Sequence, residues 1–341
     1  MLVLGIETSC DETAASVVKD GHEILSNIIA SQAEIHEKYG GVFPELACRS
    51  HIDMIIPVID NALKKAAVTP NQIDLIAVAK GPGLIGALLI GLNTAKGLAL
   101  SWKKPFIGIN HIEAHLYASM MNQVNFDKLV FPALGIVLSG GHTVFLEIRD
   151  IGQYQPIGST IDDAIGEAFD KVASILDMPY PGGPNIEKLA KNGNPKKYNI
   201  NPAKAPNKYD FSFSGLKTKI LYTVKGQKAC KSSPSILPSE EKKHIAAGFQ
   251  KAAFQDVIEK AAQAVQEYGL KAVYLGGGVT NNQKLREMFQ KKGLSVPIFW
   301  PELGLSLDNA AMIAGMGYQK FFKNNLSDPW DLKAHPRIAI S

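Results

Sequence analysis

The sequence predicts an α/β fold of two related lobes facing each other across a cleft, and three observations carry that expectation. A strand–turn–strand unit occurs twice: Leu4, Gly5, Ile6, Ser9 and Thr13 align without a gap onto Leu134, Gly135, Ile136, Ser139 and Thr143. A strand–glycine–helix unit also occurs twice, once around Gly81-Pro82-Gly83 and once around Gly276-Gly277-Gly278. The chain has 341 residues, 46% of them hydrophobic, which is enough to enclose a core in each lobe. One duplicated α/β arrangement accounts for both repeats.

Taken in order, residues 2–9 form a strand-like run that breaks at Ser9-Cys10-Asp11-Glu12-Thr13, and Ala14 to Val18 return. The start is apolar but has no basic region, and Glu7 interrupts it, so it reads as a buried strand rather than a signal peptide. An amphipathic helix is expected near 24–38 and a second from Pro44 to about Lys65. Asp74 to Ala79 is a strand that runs through the glycines into a helix from about Leu84 to Leu100. Phe106 to Ile109 is a strand leading into the helix that holds His111 and His115. Asp127 to Pro132 reads as the link between lobes.

In the second half, Thr160 and Asp163 have capping-box spacing before a helix through Leu176. Tyr180-Pro181-Gly182-Gly183-Pro184 reads as a turn cluster. A long helix covers 245–267, Lys271 to Leu275 is a strand, a helix begins near Asn282, and the last helix runs from Asn309 to Lys323. No run of eighteen apolar residues is present, so no transmembrane helix is expected. Cys10, Cys48 and Cys230 are far apart and odd in number, which fits a reducing, cytoplasmic setting and gives no thiolate metal site. A net charge of +4 is too mild to identify a nucleic-acid partner.

The chemistry centres on His111 and His115. Four residues apart, they share one helix face and can hold a metal ion with positions left open, or they can be ordinary helix histidines. Asp308 is the natural third ligand, since two histidines and a carboxylate make an open site, and it is also a good N-cap for the helix beginning at Asn309. Ser139-Gly140-Gly141-His142-Thr143 can bring backbone N–H groups and two hydroxyls to an anion, or be a plain hairpin turn. Gly276-Gly277-Gly278 can lie under a base or ribose, or allow close strand–helix packing. Gly81-Pro82-Gly83 can aim a helix at phosphate or merely turn the chain. Asp11 and Glu12 are either turn residues or a cleft base and its neighbour. From Lys188 to Lys231 there are eleven lysines and one acid, Asp210. Tyr198, Tyr209, Phe211, Phe213 and Tyr222 lie among them, as suits either RNA or a solvated surface.

Together these segments resemble the TsaD family of tRNA threonylcarbamoyladenosine transferases, formerly labelled glycoproteases or O-sialoglycoprotein endopeptidases, over nearly the whole chain. The matching stretches include 5–13, 40–47, 81–84, His111 with His115, 139–143, 161–170, 180–184 and 211–218. The resemblance implies an actin/hexokinase/Hsp70-like (ASKHA) fold, two ribonuclease-H-like lobes around a nucleotide cleft. The lobes would be 1–130 with 312–341, and 131–311 with a basic helical insert at about 184–240. It implies transfer of threonylcarbamoyl from threonylcarbamoyl-AMP to the exocyclic amine of adenosine 37 in tRNAs reading A-starting codons.

By the same resemblance, His111, His115 and Asp308 would bind one divalent metal, iron or zinc. Val137, Leu138, Ser139, Gly140 and Gly141 would meet the phosphate and carbamoyl end. Asp170 and Gly183 would hold the ribose, and Gly277, Gly278 and Asn282 the adenine side. Asp11 and Glu12 would be the acidic cleft residues, with Asp11 the proton acceptor. Implied partners are tRNA, a paralogous TsaB-type subunit and a TsaE-type ATPase, with ATP or ADP able to occupy the same cleft and no membrane involved. Val279-Thr280-Asn281-Asn282 departs from the family's Val-Ser-Ala-Asn, which leaves both Asn281 and Asn282 as candidates for the nucleotide contact, and His142 replaces an asparagine in the manner of bacterial members. Two rival functions are a kinase or ATPase of the same fold and a metalloprotease. The protease reading lacks its base: Ile112, not glutamate, follows the first histidine.

Overall fold

The computed structural model describes residues 1–121, 129–202, 204–227, 233–324, 327–338 and 340. Asp127 and Lys128 of the expected link, and Cys230, Lys228 and Lys231, lie outside the described residues. The first half supplies β1 (Leu2–Glu7), β2 (Glu12–Lys19), β3 (Glu23–Ser31), α1 (Ala33–Glu37), α2 (Pro44–Ala66), β4 (Leu75–Gly81), α3 (Ile85–Trp102), β5 (Phe106–Asn110) and α4 (His111–Ala118). The second half supplies β6 (Ala133–Leu138), β7 (Thr143–Asp150), β8 (Gln153–Ser159), α5 (Ile165–Ile175), α6 (Gly182–Ala190), α7 (Ser214–Lys225) and α8 (Lys242–Glu267). It ends with β9 (Val273–Gly276), α9 (Gln283–Lys292), β10 (Ile298–Phe299) and α10 (Ala310–Asn324).

The duplication expected from the repeats is present in the sheets. One sheet runs β3-β2-β1-β4-β5 and the other β8-β7-β6-β9-β10, each with two antiparallel joins followed by two parallel ones. The aligned glycines hold equivalent places: Gly5 sits between Ser16 and Ala77, and Gly135 between Leu146 and Tyr274. Each lies under a helix. A Cβ on Gly5 would come 2.2 Å from the Ala310 carbonyl of α10, and one on Gly135 would come 2.9 Å from Leu116 of α4. The central strands are buried on both faces, which is why they read as continuous apolar runs. Residues of α4 and α10 share one core with both sheets, so the histidine helix is wedged between the lobes.

Several expectations need correction. The stretch 24–38 is not one helix: 23–31 is β3, paired along its length with β2, and only 33–37 is helical. Ile24, Leu25, Ile28 and Ile29 satisfy a helical stripe, but β-branched residues beside an otherwise unpaired β2 edge make a strand. Thr160 does not cap α5; its hydroxyl donates to the Asp163 carbonyl, and the Thr143 hydroxyl accepts from the Ile165 N–H instead. The 180–184 cluster is a turn only as far as Pro181, since α6 begins at Gly182. The α10 cap is Asn309, whose Oδ1 accepts from the Met312 N–H, not Asp308. The expectation of no transmembrane helix is not among these corrections: α3 has the length and composition of a span, a test that core helices also pass. Here it packs Ala87, Leu88, Gly91, Leu92, Ala95 and Ala99 inward and leaves Ile85, Leu89 and Leu100 exposed.

Candidate active site

β5 passes into α4 without a loop, because the Asn110 side chain accepts from the Ile112 N–H and starts the helix at His111. His111 therefore stands at the C-terminal end of a parallel strand, where open α/β sheets place their ligands. His115 follows one turn later, its ring centroid 4.5 Å from that of His111, and both are buried. Asp308, from the segment before α10, brings Oδ1 to 3.1 Å from His115 Nε2 and 3.5 Å from His111 Nε2. Donor atoms of the three side chains lie within 4.8 Å of one another. His115 is sealed from solvent with neither ring nitrogen in an aligned hydrogen bond. An imidazole so placed is unsatisfied unless something else binds it, and the donor set is the two-histidine, one-carboxylate pattern of an open metal site.

Glu7 completes this group. Its Oε2 lies 2.8 Å from His111 Nδ1, with the Ser9 hydroxyl at 3.2 Å from the same nitrogen. A proton on Nδ1 shared with Glu7 leaves Nε2 facing Asp308, the way outer carboxylates orient a ligating histidine. Burial opposes charging His111, but Glu7 and Asp308 outweigh it and hold its pKa well above the ordinary value. Burial likewise opposes ionising Asp308, and His111 and His115 hold its pKa well below the usual carboxylate range. Glu113 points away from the group and pairs with Lys320 of α10 at 2.6 Å, so it is not placed to serve as a protease base.

The turn from β1 to β2 brings Asp11 and Glu12 to the same cleft. Asp11 is 8% exposed, and its carbonyl accepts from the Gln32 N–H. Burial, then Asp308 and Asp11, push Glu12 up to about 10. In the second lobe the equivalent turn is closed by Ser139: its N–H donates to the His142 carbonyl and its hydroxyl accepts from the His142 N–H. A Cβ on Gly140 or Gly141 would meet nothing within 4 Å, which leaves the backbone open to a ligand. Val137 and Leu138 are buried in β6 and paired to Val144 and Thr143, so their side chains stay inside. Thr143, fully buried and spent on capping α5, does not face an anion as expected.

Asp170 and Asn282 have structural duties that spacing could not show. Asp170 Oδ1 accepts from the Gly182 N–H at 2.7 Å, at the start of α6. Burial pushes its pKa up to about 6, opposed by the Gly182 and Gly183 N–H groups and raised by Asp11. Gly183, next along that helix, is open to at least 4 Å. Asn282 Oδ1 accepts from the Lys284 and Leu285 N–H groups and from Gln250, capping α9. Its neighbour Asn281 has a buried Oδ1 with no partner. The late glycines are close-packed: a Cβ on Gly276 would lie 2.3 Å from the His115 carbonyl and one on Gly277 2.4 Å from that of Leu138. Gly278 faces Leu307. Gly81 and Gly83 press against the carbonyls of His335 and Ser9, so they seat the chain terminus and the first turn rather than a phosphate.

The lysine-rich stretch differs from a bare basic patch. Lys197 pairs with Glu241 and Lys208 with Glu267, while Lys217 pairs with Asp163 and Lys225 with Asp177. These acids come from distant parts of the chain. Tyr209, Phe211 and Phe213 are core residues and unavailable to bases, leaving Tyr222 exposed and Tyr198 partly so. Asp162 organises the stretch by accepting from the Ser212 and Ser214 hydroxyls and the Phe213 N–H. Among the functional candidates, the sequence assigns no role to Glu7 or His51. A lone acid inside an apolar strand was the available signal for Glu7.

The model of the family described as TsaD, tRNA N6-adenosine threonylcarbamoyltransferase, matches residues 23–315. A protein of that name from Protochlamydia amoebophila is 58% identical over all of this chain and 98% of its own length. Its Bacillus subtilis namesake is 44% identical over all of this chain and 96% of its own length. Among solved structures, the ROK hexokinase of Thermus thermophilus superposes with a TM-score of 0.51 at 14% identity, covering 95% of this chain and 99% of its own. That likeness shows the ASKHA fold.

Proposed function

The chain belongs to the TsaD family of tRNA N6-adenosine threonylcarbamoyltransferases, and from that premise we propose how its cleft carries out the family reaction. The activity is transfer of threonylcarbamoyl from threonylcarbamoyl-AMP to the exocyclic amine of adenosine 37 in tRNAs reading A-starting codons, with release of AMP. The nitrogen–carbon bond to the carbamoyl carbonyl forms, the bond from that carbon to the phosphate oxygen breaks, and AMP departs with the electron pair. Asp11 takes the proton lost by the amine. Glu12 is its acidic neighbour in the same turn, where burial raises its pKa.

His111, His115 and Asp308 would hold a divalent metal, with Glu7 orienting His111. When bound, such an ion would withdraw charge from the donor's oxygens. The open backbone at Gly140 and Gly141 supports a role for that turn in receiving the carbamoyl and phosphate end, by N–H groups aimed at developing negative charge. Gly183 and Asp170 suit a ribose, and Asn281 stands beside Asn282 as a candidate for the adenine side. Since adenosine is a poor nucleophile, positioning supplies much of the rate. Iron or zinc is the expected metal, and the cytoplasm the expected compartment.

We place tRNA across the lysine-rich insert, where Lys196 and Lys204 have no ion-pair partner among the described residues. Charge reversal at Lys196 and Lys197 tests this through the salt dependence of tRNA binding, and an unchanged salt slope rejects it. The exposed Ile52 and Ile56 of α2, with Ile85 and Leu89 of α3, suit the expected TsaB-type subunit, and a TsaE-type ATPase completes the set. The lobes divide as 1–130 with 312–341, and 131–311. The observation that carries the site assignment is the convergence of His111, His115 and Asp308, whose donor atoms lie within 4.8 Å of one another. Transfer assayed with the partner subunits, with metal content measured in the His115→Ala variant, tests it: retained metal and retained transfer would reject the assignment.

A further inference from the structure

Residues 327–338 lie back over the first lobe as a strap. The Asp328 N–H donates to the Phe106 carbonyl, and its carboxylate accepts from the Gly108 N–H at 2.7 Å. Lys96 binds the Leu332 carbonyl at 2.7 Å, the His335 N–H donates to the Lys80 carbonyl, and the Gly83 N–H donates to the Pro336 carbonyl. A side chain at Gly81 would put its Cβ 1.9 Å from the His335 carbonyl, so the glycine exists to let the strap lie against β4. These bonds end beside the cleft. Arg337 there joins Pro82, Ile112, His142, Pro336 and Ile338 around a cavity of about 390 Å³.

This cavity adjoins the metal cluster. Ile112 follows His111 directly in the chain, and the His142 ring centroid lies 6.5 Å from that of His111. No residue given a nucleotide role above lines it. Arg337 is exposed and has no acidic partner among the described residues, so its guanidinium is free to take an anion. His142 adds an imidazole to the same wall. The remaining walls are apolar. A ligand with its reacting carbonyl at the cluster would thus project a small group carrying an anion and some hydrocarbon into this space.

We propose that Arg337 binds the free carboxylate of the donor's threonyl group, with Ile112, Pro82 and Ile338 beside its methyl. The assignment rests on the transferase reading. The donor is a threonine carbamoylated on its amino group, so its carboxylate stays ionised a few bonds beyond the reacting carbonyl. Arg337 is then the residue that selects an α-carboxylate-bearing carbamoyl donor, and the strap is what positions it.

The test compares two donors, threonylcarbamoyl-AMP and its analogue with the threonyl carboxylate replaced by a carboxamide. The protein with its partner subunits is used in wild-type, Arg337→Gln and Arg337→Lys forms. Arg337→Gln should raise the KM of the carboxylate donor about tenfold or more, with Arg337→Lys between it and the wild type. For the carboxamide donor the variant and the wild type should match. The KM for tRNA and its salt dependence should not move. Equal losses with both donors, or no loss with either, would overturn the proposal. So would a loss that falls on the tRNA KM and its salt slope, which would mark Arg337 as a phosphate contact. Calorimetric binding of the two donors gives the same comparison without turnover. A wild type that binds both equally therefore fails the carboxylate proposal, whereas absent transfer with selective binding fails the transferase reading.

Discussion

The imidazole of His51, fully buried in α2, holds Thr13 by a 2.8 Å contact between Nδ1 and the Thr13 hydroxyl. Its Nε2 lies 3.0 Å from the Cys10 carbonyl, so one ring brackets Asp11 and Glu12 from behind. Burial lowers its pKa, which fits a neutral ring donating to Cys10 and accepting from Thr13. His51 is a positioning residue. His51→Ala should lower kcat about tenfold to a hundredfold with little change in tRNA KM. His51→Gln, which can still donate toward Cys10, should recover part of it. Steady-state kinetics checks this, and a loss confined to KM would reject a role in aligning the acids.

The His111, His115 and Asp308 cluster should make stability metal-dependent. Protein stripped with a chelator should melt lower, and adding iron(II) or zinc should raise its Tm, as any ligand of the native state does. With metal at about a hundred times its Kd the gain is ~2.7 kcal/mol. His115→Ala should bind less metal and lose the increment, as read by calorimetric melting and metal analysis.

Open and crowded glycines should behave oppositely. Gly277 has φ +92° and its Cβ would come 2.4 Å from the Leu138 carbonyl, so Gly277→Ala should cost about 2 kcal/mol or more. Gly141→Ala meets nothing and should leave the unfolding free energy within about 0.5 kcal/mol of wild type while raising the donor KM. Melting and kinetics on the pair separate packing from ligand approach.

Asp170 carries a sign that can be checked against pH. Its pKa of about 6 lies above the ordinary 3.8, so between those values the folded protein binds a proton the unfolded chain does not. Its contribution to stability is therefore fully present below about 4 and is lost as pH rises through 6. Asp170→Asn can keep the bond from the Gly182 N–H and should be more stable than wild type at pH 7, by about 1–2 kcal/mol after solvent screening. The difference should shrink toward pH 4. Chemical denaturation across that range measures it.

The fold was legible because each repeat is local. The Gly5 and Gly135 strands pair in the same way, and buried strands and helix starts follow from short apolar runs and caps. The segment 24–38 is ambiguous in sequence because its isoleucines fit two periods, and only the pairing with β2 decides between them. At the site, two histidines four apart were visible, as was the choice of Asp308. Contacts between residues far apart in the chain were not. Glu7 reaches His111, and the acids that pair with the insert's lysines come from just before α5, the turn after it, and the start and end of α8. Asp170, Thr143 and Asn282 each cap or brace a helix start, a use that spacing alone does not distinguish from ligand binding.

The central claim is that this cleft transfers threonylcarbamoyl to tRNA through the cluster on α4. The most direct measurement incubates the protein and its partner subunits with threonylcarbamoyl-AMP and unmodified tRNA, then examines the digested nucleosides by mass spectrometry. A His111→Ala/His115→Ala variant is run alongside. Threonylcarbamoyladenosine from the wild type, and none above background from the folded variant, is the predicted result. Equal modification by both would contradict the role of the cluster, and no modification by either, with partners and donor shown to be active, would contradict the transferase itself.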